Sequence, residues 1–414
     1  MLQVWKPDLL TKLYVYSLCL LVYTAADVSW LFAIPRPPLY VLVGAIAIVK
    51  ALKNGISHAS PKKVMWILVW FIFNLMVIFV SPGSVISYLF RLLYVLIMAS
   101  VILLSLDEMK YLLKILTNCF VFILVISISG WILYLIGVPM AHTGPHYHEN
   151  GYHVYYDYYF FTTQVFMSSS EYKRFSSVFL EPGQMATPCV FLFHLNSKEN
   201  KLLQFKNVIM IVAIIMSFSL VAYGLFVFSL VVNRMGNSRY KVPAAIITFL
   251  LIGGLWMYFT THENNAVNAL IVSRLEYDEE ENTISGNNRT NDYFEYRYDE
   301  MMHSKDKYFG IHNQSLDWTT NTSGYKKFMV HHGIVGFSIV MIMMLILWLD
   351  NKKISVLMYC IMVVVAFLVR DMLTTPLWLT CAIIGAYILG ADSKKLEYSN
   401  QIITDNYYNT QSIN

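Results

Sequence analysis

The sequence predicts an all-α integral membrane protein of about twelve transmembrane helices, with two long extracytoplasmic loops. Three observations carry this. Hydrophobic residues make up 57% of the 414-residue chain and charged residues 14%, against roughly 45–50% and about 25% in soluble domains. Apolar runs close to the roughly 20 residues that cross a bilayer as helix recur along almost the whole length. Lysines and arginines also gather in one alternate set of short loops, as the positive-inside rule requires.

Five spans are read first, near Leu13–Ala33, Leu39–Leu52, Val64–Val80, Val85–Leu106 and Leu113–Val138. The first begins after Trp5, Lys6 and Asp8 without a small-residue cleavage site, so it reads as a retained span rather than a signal peptide. Residues 139–182 then form the first extracytoplasmic loop. Residues 183–260 hold four central spans, near Gln184–Leu195, Phe205–Ser217, Leu220–Val232 and Val242–Thr260. Phe205–Val232 is long for one span and short for two, and Ser217-Phe218-Ser219 offers the break. Residues 261–326 form the second loop. Residues 327–391 hold spans near Phe328–Trp348, Ile354–Val369 and Leu373–Leu389, and 392–414 form a polar cytoplasmic tail.

Charge checks the count. With a cytoplasmic N-terminus, one set of short loops holds Lys50, Lys53, Lys62, Lys63, Lys110, Lys114, Lys198, Lys201, Lys206, Arg234, Arg239, Lys241, Lys352 and Lys353. The opposite set holds little beyond Arg36 and Arg370. Reading Phe205–Val232 as one span would mix these charges, so two short spans are expected, and both long loops face outward. Scattered in this way, a net charge of +4 gives no nucleic-acid signal. All five cysteines lie in apolar runs, which implies small core residues and no disulfide framework.

The chemistry is expected in the two loops. The first is rich in tyrosine, with Val154–Met167 and Tyr172–Leu180 expected to pair as a hairpin, and it ends in Arg174 and Glu181. Most of these tyrosines read as an interfacial belt, and a few as platforms for sugar rings. The second loop carries Arg274, Arg289, Arg297, His303 and His312. Residues Arg289–His303 have helical character, and Phe309-Gly310-Ile311-His312-Asn313 reads as a turn presenting its histidine. Arginine suits a diphosphate because its planar donor fork binds phosphate oxygens in pairs and stays charged. A neutral imidazole can take the proton of a sugar hydroxyl. Two arginines touch apolar spans. Arg370 has Asp371 beside it as a partner, whereas Arg91 has no adjacent acid and is placed to reach a lipid phosphate. No Asp-x-Asp occurs anywhere, and Asp278–Glu281 reads as a solvated charge run. No metal or other cofactor is therefore expected.

Arg174-Phe175-Ser176-Ser177-Val178-Phe179-Leu180-Glu181-Pro182 opens the sixth span. His312-Asn313-Gln314-Ser315-Leu316 is followed by His332-Gly333-Ile334-Val335-Gly336-Phe337. Together with the order of five spans, loop, four spans, loop and three spans, the chain resembles the bacterial O-antigen and capsular polysaccharide polymerases and the O-antigen ligases. The resemblance covers nearly the whole chain in topology but only these short motifs in residues. It implies a GT-C-like membrane fold and a metal-independent, inverting glycosyl transfer in the bacterial cytoplasmic membrane. Donor and acceptor would both be glycans on undecaprenyl diphosphate, with a flippase and a chain-length regulator as further partners. It implies that Arg174 and Arg289 hold the diphosphate and that His312 activates the acceptor. Glu181, Asn313, Arg91 and Arg274 would complete substrate binding. Relatives often carry Ser-Arg-Gly near the break between the two short spans; Ser219-Leu220-Val221-Ala222-Tyr223-Gly224 here lacks the arginine. A lipid-linked-sugar flippase would instead need charge in mid-membrane, and the motifs do not separate polymerase from ligase.

Overall fold

A computed structural model describes residues 5–24, 34–54, 59–80, 83–147, 154–164, 173–199, 204–234, 277–278, 283–284, 292–311 and 324–391. Among these, five helices come first: α1 Leu9–Tyr23, α2 Arg36–Asn54, α3 Pro61–Val80, α4 Val85–Ile102 and α5 Leu106–Leu135. A small sheet follows, with β1 His146–Tyr147, β2 Val154–Asp157 and β3 Thr162–Gln164. Next come α6 Pro182–Glu199, α7 Phe205–Met216 and α8 Leu220–Arg234, then the short pair β4 Tyr277–Asp278 and β5 Thr283–Ile284. The chain closes with α9 Asp292–His303, α10 Tyr325–Asn351, α11 Ile354–Val369 and α12 Pro376–Ala391. Four helices, α3, α4, α5 and α10, are each long and apolar enough to cross a membrane. The expected span at Val242–Thr260, the end of the first span and the tail lie outside the described residues.

Local signals set the helix starts. Ser105 and Glu108 form a reciprocal capping box at α5, while Asp8 and Ser84 accept the first free N–H groups of α1 and α4. Pro61, Pro182 and Pro376 stand at first helical positions, where a missing N–H costs nothing. α9 has polar character and falls within the stretch Arg289–His303 for which the sequence suggested a helix; residues 289–291 lie outside the described residues.

Neighbouring helices trace a closed circuit: α1, α2, α4, α3, α10, α11, α8, α6, α7, α5 and back to α1. The last helix is the most enclosed. Every residue from Leu377 to Gly390 is buried except the half-buried Tyr387. Its stretch is apolar all round, and small residues admit neighbours closely. A Cβ at Gly385 would fall 2.5 Å from Cζ of Tyr359. Trp378 meets Phe191 edge-on at 5.4 Å, and Tyr359 donates to the Cys381 carbonyl at 2.8 Å. By contrast only 28% of the apolar stretch of α3 and of α4 is buried, so these helices form the periphery. Four cysteines are buried and Cys119 is half-buried, all as free thiols.

The two ends of the bundle differ. One end is laced by lysines: Lys50 pairs with Glu108, Lys53 with Asp8, and Lys62 with the Leu349 carbonyl. The other end holds residues 154–164, 173–181 and 292–311, and every candidate site contact below lies there.

The first-loop sheet departs from expectation. Val154–Asp157 pairs with Thr162–Gln164 rather than with 173–180, the described part of the expected second strand. The reason is a tight turn at 158–161. Asp157, buried, accepts the Tyr159 N–H at 2.8 Å, Tyr159 adopts a positive φ of 71°, and Tyr158 N–H closes on the Phe161 carbonyl at 2.9 Å. Residues 173–181 instead run as irregular chain across β3. Thr162 N–H donates to the Ser177 carbonyl at 2.8 Å, and Thr162 Oγ1 to the Phe179 carbonyl at 2.8 Å.

Candidate functional site

The segment from Lys173 to Glu181 is anchored by its apolar members. Phe175, Val178 and Phe179 are buried, and Phe175 packs on Trp131 of α5 at 5.8 Å. Phe161 meets the same tryptophan edge-on at 5.6 Å, where Gly130 leaves room for its ring. Burying side chains of this kind contributes about 1.5–3 kcal/mol each. The hydroxyls between them are satisfied: Ser177 donates to Ser127 of α5 at 2.8 Å, and Ser127 to the Phe160 carbonyl at 2.6 Å.

Arg174 sits at the break between α7 and α8. These helices hold 12 and 15 residues, about 18 and 22 Å of rise, short of the roughly 30 Å of a hydrocarbon core. Between them Phe218 adopts a positive φ of 46°. The end of α7 leaves carbonyls without helical partners. Met216 O accepts the Phe175 N–H at 3.0 Å, Ser217 O accepts Arg174 Nε at 3.2 Å, and Phe218 O accepts Arg174 Nη2 at 2.9 Å. Arg174 is thus a cation at a helix C-terminus, the favourable end of the dipole. Next to it, Lys173 lies 4.4 Å over the Tyr134 ring and donates to its hydroxyl at 2.9 Å.

Glu181, at the other end of the segment, accepts from Nη1 of Arg370. This corrects the expected Arg370–Asp371 pair. Arg370 follows α11 and lies across the first turn of α6, where a Cβ at Gly183 would fall 2.6 Å from its Cζ and Nε. Burial raises the Asp371 carboxyl above the ordinary range, opposed by the charges of Lys327 and Arg370.

The second loop meets the bundle at a kink. α10 is interrupted at Gly333, φ 64° and ψ −175°, which leaves backbone groups without helical partners. Chain from 308 to 311 takes two of them. Val335 N–H donates to Tyr308 O at 3.0 Å, and Ile311 N–H to Val330 O at 2.8 Å. Gly310, φ 89°, comes so close that a Cβ would fall 2.6 Å from Val330 O. α9 rests on the same place through Phe294 and Met301, clustered with Ile311 and Val330. His332, just before the kink, packs on Phe328 at 4.5 Å and Phe73 at 5.4 Å.

Of the residues singled out in the sequence, Arg174 and Glu181 are thus at the two ends of one pinned segment. Arg91 is half-buried on α4 and forms no hydrogen bond or ion pair with a described residue. One turn on, Tyr94 donates to the Thr374 carbonyl at 2.7 Å, which ties that part of α4 to the corner after Arg370. Arg274, Arg289, His312 and Asn313 lie outside the described residues. His142 and His146 pack against tyrosines of the sheet, and no three metal-ligand side chains converge among the described residues. Sequence reasoning missed the Glu181–Gly183–Arg370 contact. The signal was Gly183 in a first helical turn, whose purpose shows only when Arg370 is brought to it from far along the chain.

No protein-family model matches the chain, and a search of curated proteins finds no match.

Proposed function

We propose that this chain is a membrane glycosyltransferase that polymerises lipid-linked oligosaccharide repeat units. The growing glycan passes from undecaprenyl diphosphate to a hydroxyl of an incoming lipid-linked unit. The setting is the outer face of a bacterial cytoplasmic membrane, with twelve spans, a GT-C-like arrangement and both termini in the cytoplasm. The observation that carries the reading is the placement of Arg174 in the Arg174–Glu181 motif, pinned at the end of the bundle that also receives the second polar segment.

In this reading the acceptor oxygen bonds to the anomeric carbon as the bond to the diphosphate breaks, inverting the centre. Arg174 and Arg289 stabilise the departing charge, the larger expected contribution. His312 takes the hydroxyl proton, worth typically 10²–10⁴-fold, and Asn313 orients the hydroxyl. Arg91 and Arg274 hold the lipid phosphates, and Glu181 keeps the motif in place. A chain-length regulator and a flippase are the expected partners.

The test uses purified protein, lipid-linked repeat unit and excess EDTA. Polymer should form, and His312→Ala should lose about 10²–10⁴-fold in rate. Full activity of that variant, or complete loss of wild-type activity in EDTA, defeats the mechanism. Transfer of glycan to a lipid A core acceptor without polymerisation would make the protein a ligase.

A further inference from the structure

We infer that Arg370, acting through Glu181, is a positioning residue that sets the conformation of the Arg174–Glu181 segment; only its activity arm rests on the polymerase reading. The segment is held at both ends by charge. Arg174 caps the α7–α8 break at one end, and Glu181 meets Arg370 at the corner between α11 and α12 at the other. Arg370 is only 12% exposed and Glu181 28%, so the pair is largely out of water. The Nε–H of Arg370 finds no acceptor among the described residues. Glu181 is then the acceptor Arg370 has there. Removing either partner breaks a largely desolvated ion pair between the start of α6 and the corner after α11, a costly change. Phe175, Val178 and Phe179 anchor the segment in the core apart from the ion pair, so relief is expected as a shift of the segment rather than its unfolding. Gly183 is the third part of the device, because any side chain there displaces the guanidinium.

Hydrogen exchange of the full-length protein in detergent reads the device without reference to function. Arg370→Gln should speed exchange at 176–181 about tenfold while α1 to α5 stay protected, and Gly183→Ala should do the same. The Glu181→Gln/Arg370→Gln double variant should exchange no faster than the faster single one, because both act on one contact. Unchanged exchange in Arg370→Gln, an increase spread evenly through α1 to α5, or additive effects in the double variant would overturn the inference. In the polymerisation assay, Arg370→Gln should raise the apparent KM for the diphosphate donor about tenfold, with Arg370→Lys recovering part of it. An unchanged KM counts against positioning of Arg174. A wild-type protein that never polymerises refutes the functional reading alone, and the exchange result still decides this one.

Discussion

Both long polar segments do the same thing to the bundle: each covers a place where helical hydrogen bonding is interrupted. They do it with different chemistry. At the α7–α8 break the orphaned carbonyls of Ser217 and Phe218 are met by a side chain, the guanidinium of Arg174. At the α10 kink, Tyr308 and Ile311 meet Val335 and Val330 backbone to backbone, an approach that works only because Gly310 and Gly333 carry no side chain. In an apolar medium neither set of groups can be left open, since an unsatisfied backbone group costs several kcal/mol. The first break is therefore exposed to changes of side-chain chemistry and the second to changes of volume. The first also leaves a guanidinium against the break.

The largest effect should come from volume at the second break. Gly333→Ala puts a Cβ into the Tyr308 carbonyl at a positive φ, and should cost on the order of 3 kcal/mol or more. Thermal unfolding in detergent measures it, and a loss below ~1 kcal/mol would show that the 308–311 chain yields easily. At the first break, Arg174→Ala should cost about 1–3 kcal/mol by orphaning two carbonyls, and should abolish polymerisation. Arg174→Lys keeps the charge but not the fork, so it should restore part of the stability and little of the activity. Normal glycan ladders from the lysine variant would mean that charge alone suffices there.

A smaller effect concerns how α9 is held beside the second break. Burial, reinforced by Tyr325 and Glu295, pushes the Tyr298 phenol up to about 12 from its ordinary 10. The folded state thus favours the protonated phenol. This contribution is whole below pH about 10 and is lost as pH rises from there through about 12. A spin label on Ser304→Cys should gain mobility across that window, and Tyr298→Phe should flatten the transition. A transition that persists in the phenylalanine variant would assign it to another group. Smallest in energy, though decisive for orientation, is labelling. The same cysteine should react with an impermeant thiol reagent in intact, outer-membrane-permeabilised cells, and reaction only after inner-membrane lysis would reverse the topology.

Arg174 and Glu181 were legible because a charged residue beside a long apolar run has few reasons to be there. The break at 217–219 was legible from length, and the glycines at 310 and 333 stood inside quoted motifs without a stated purpose. The sequence by itself determined that the chain is helical and apolar, roughly where most of the described helices lie, and where charge collects. These are properties of one stretch at a time, set by transfer from water and by capping. Tertiary structure alone decided that α12 sits enclosed while α3 and α4 face outward, because spans of equal hydropathy differ only in what packs on them. It also decided that Arg370 belongs to Glu181 and that 154–157 pairs with 162–164. Partner choice depends on which corners of the bundle meet, and a contact spanning 189 positions leaves no local trace in the chain.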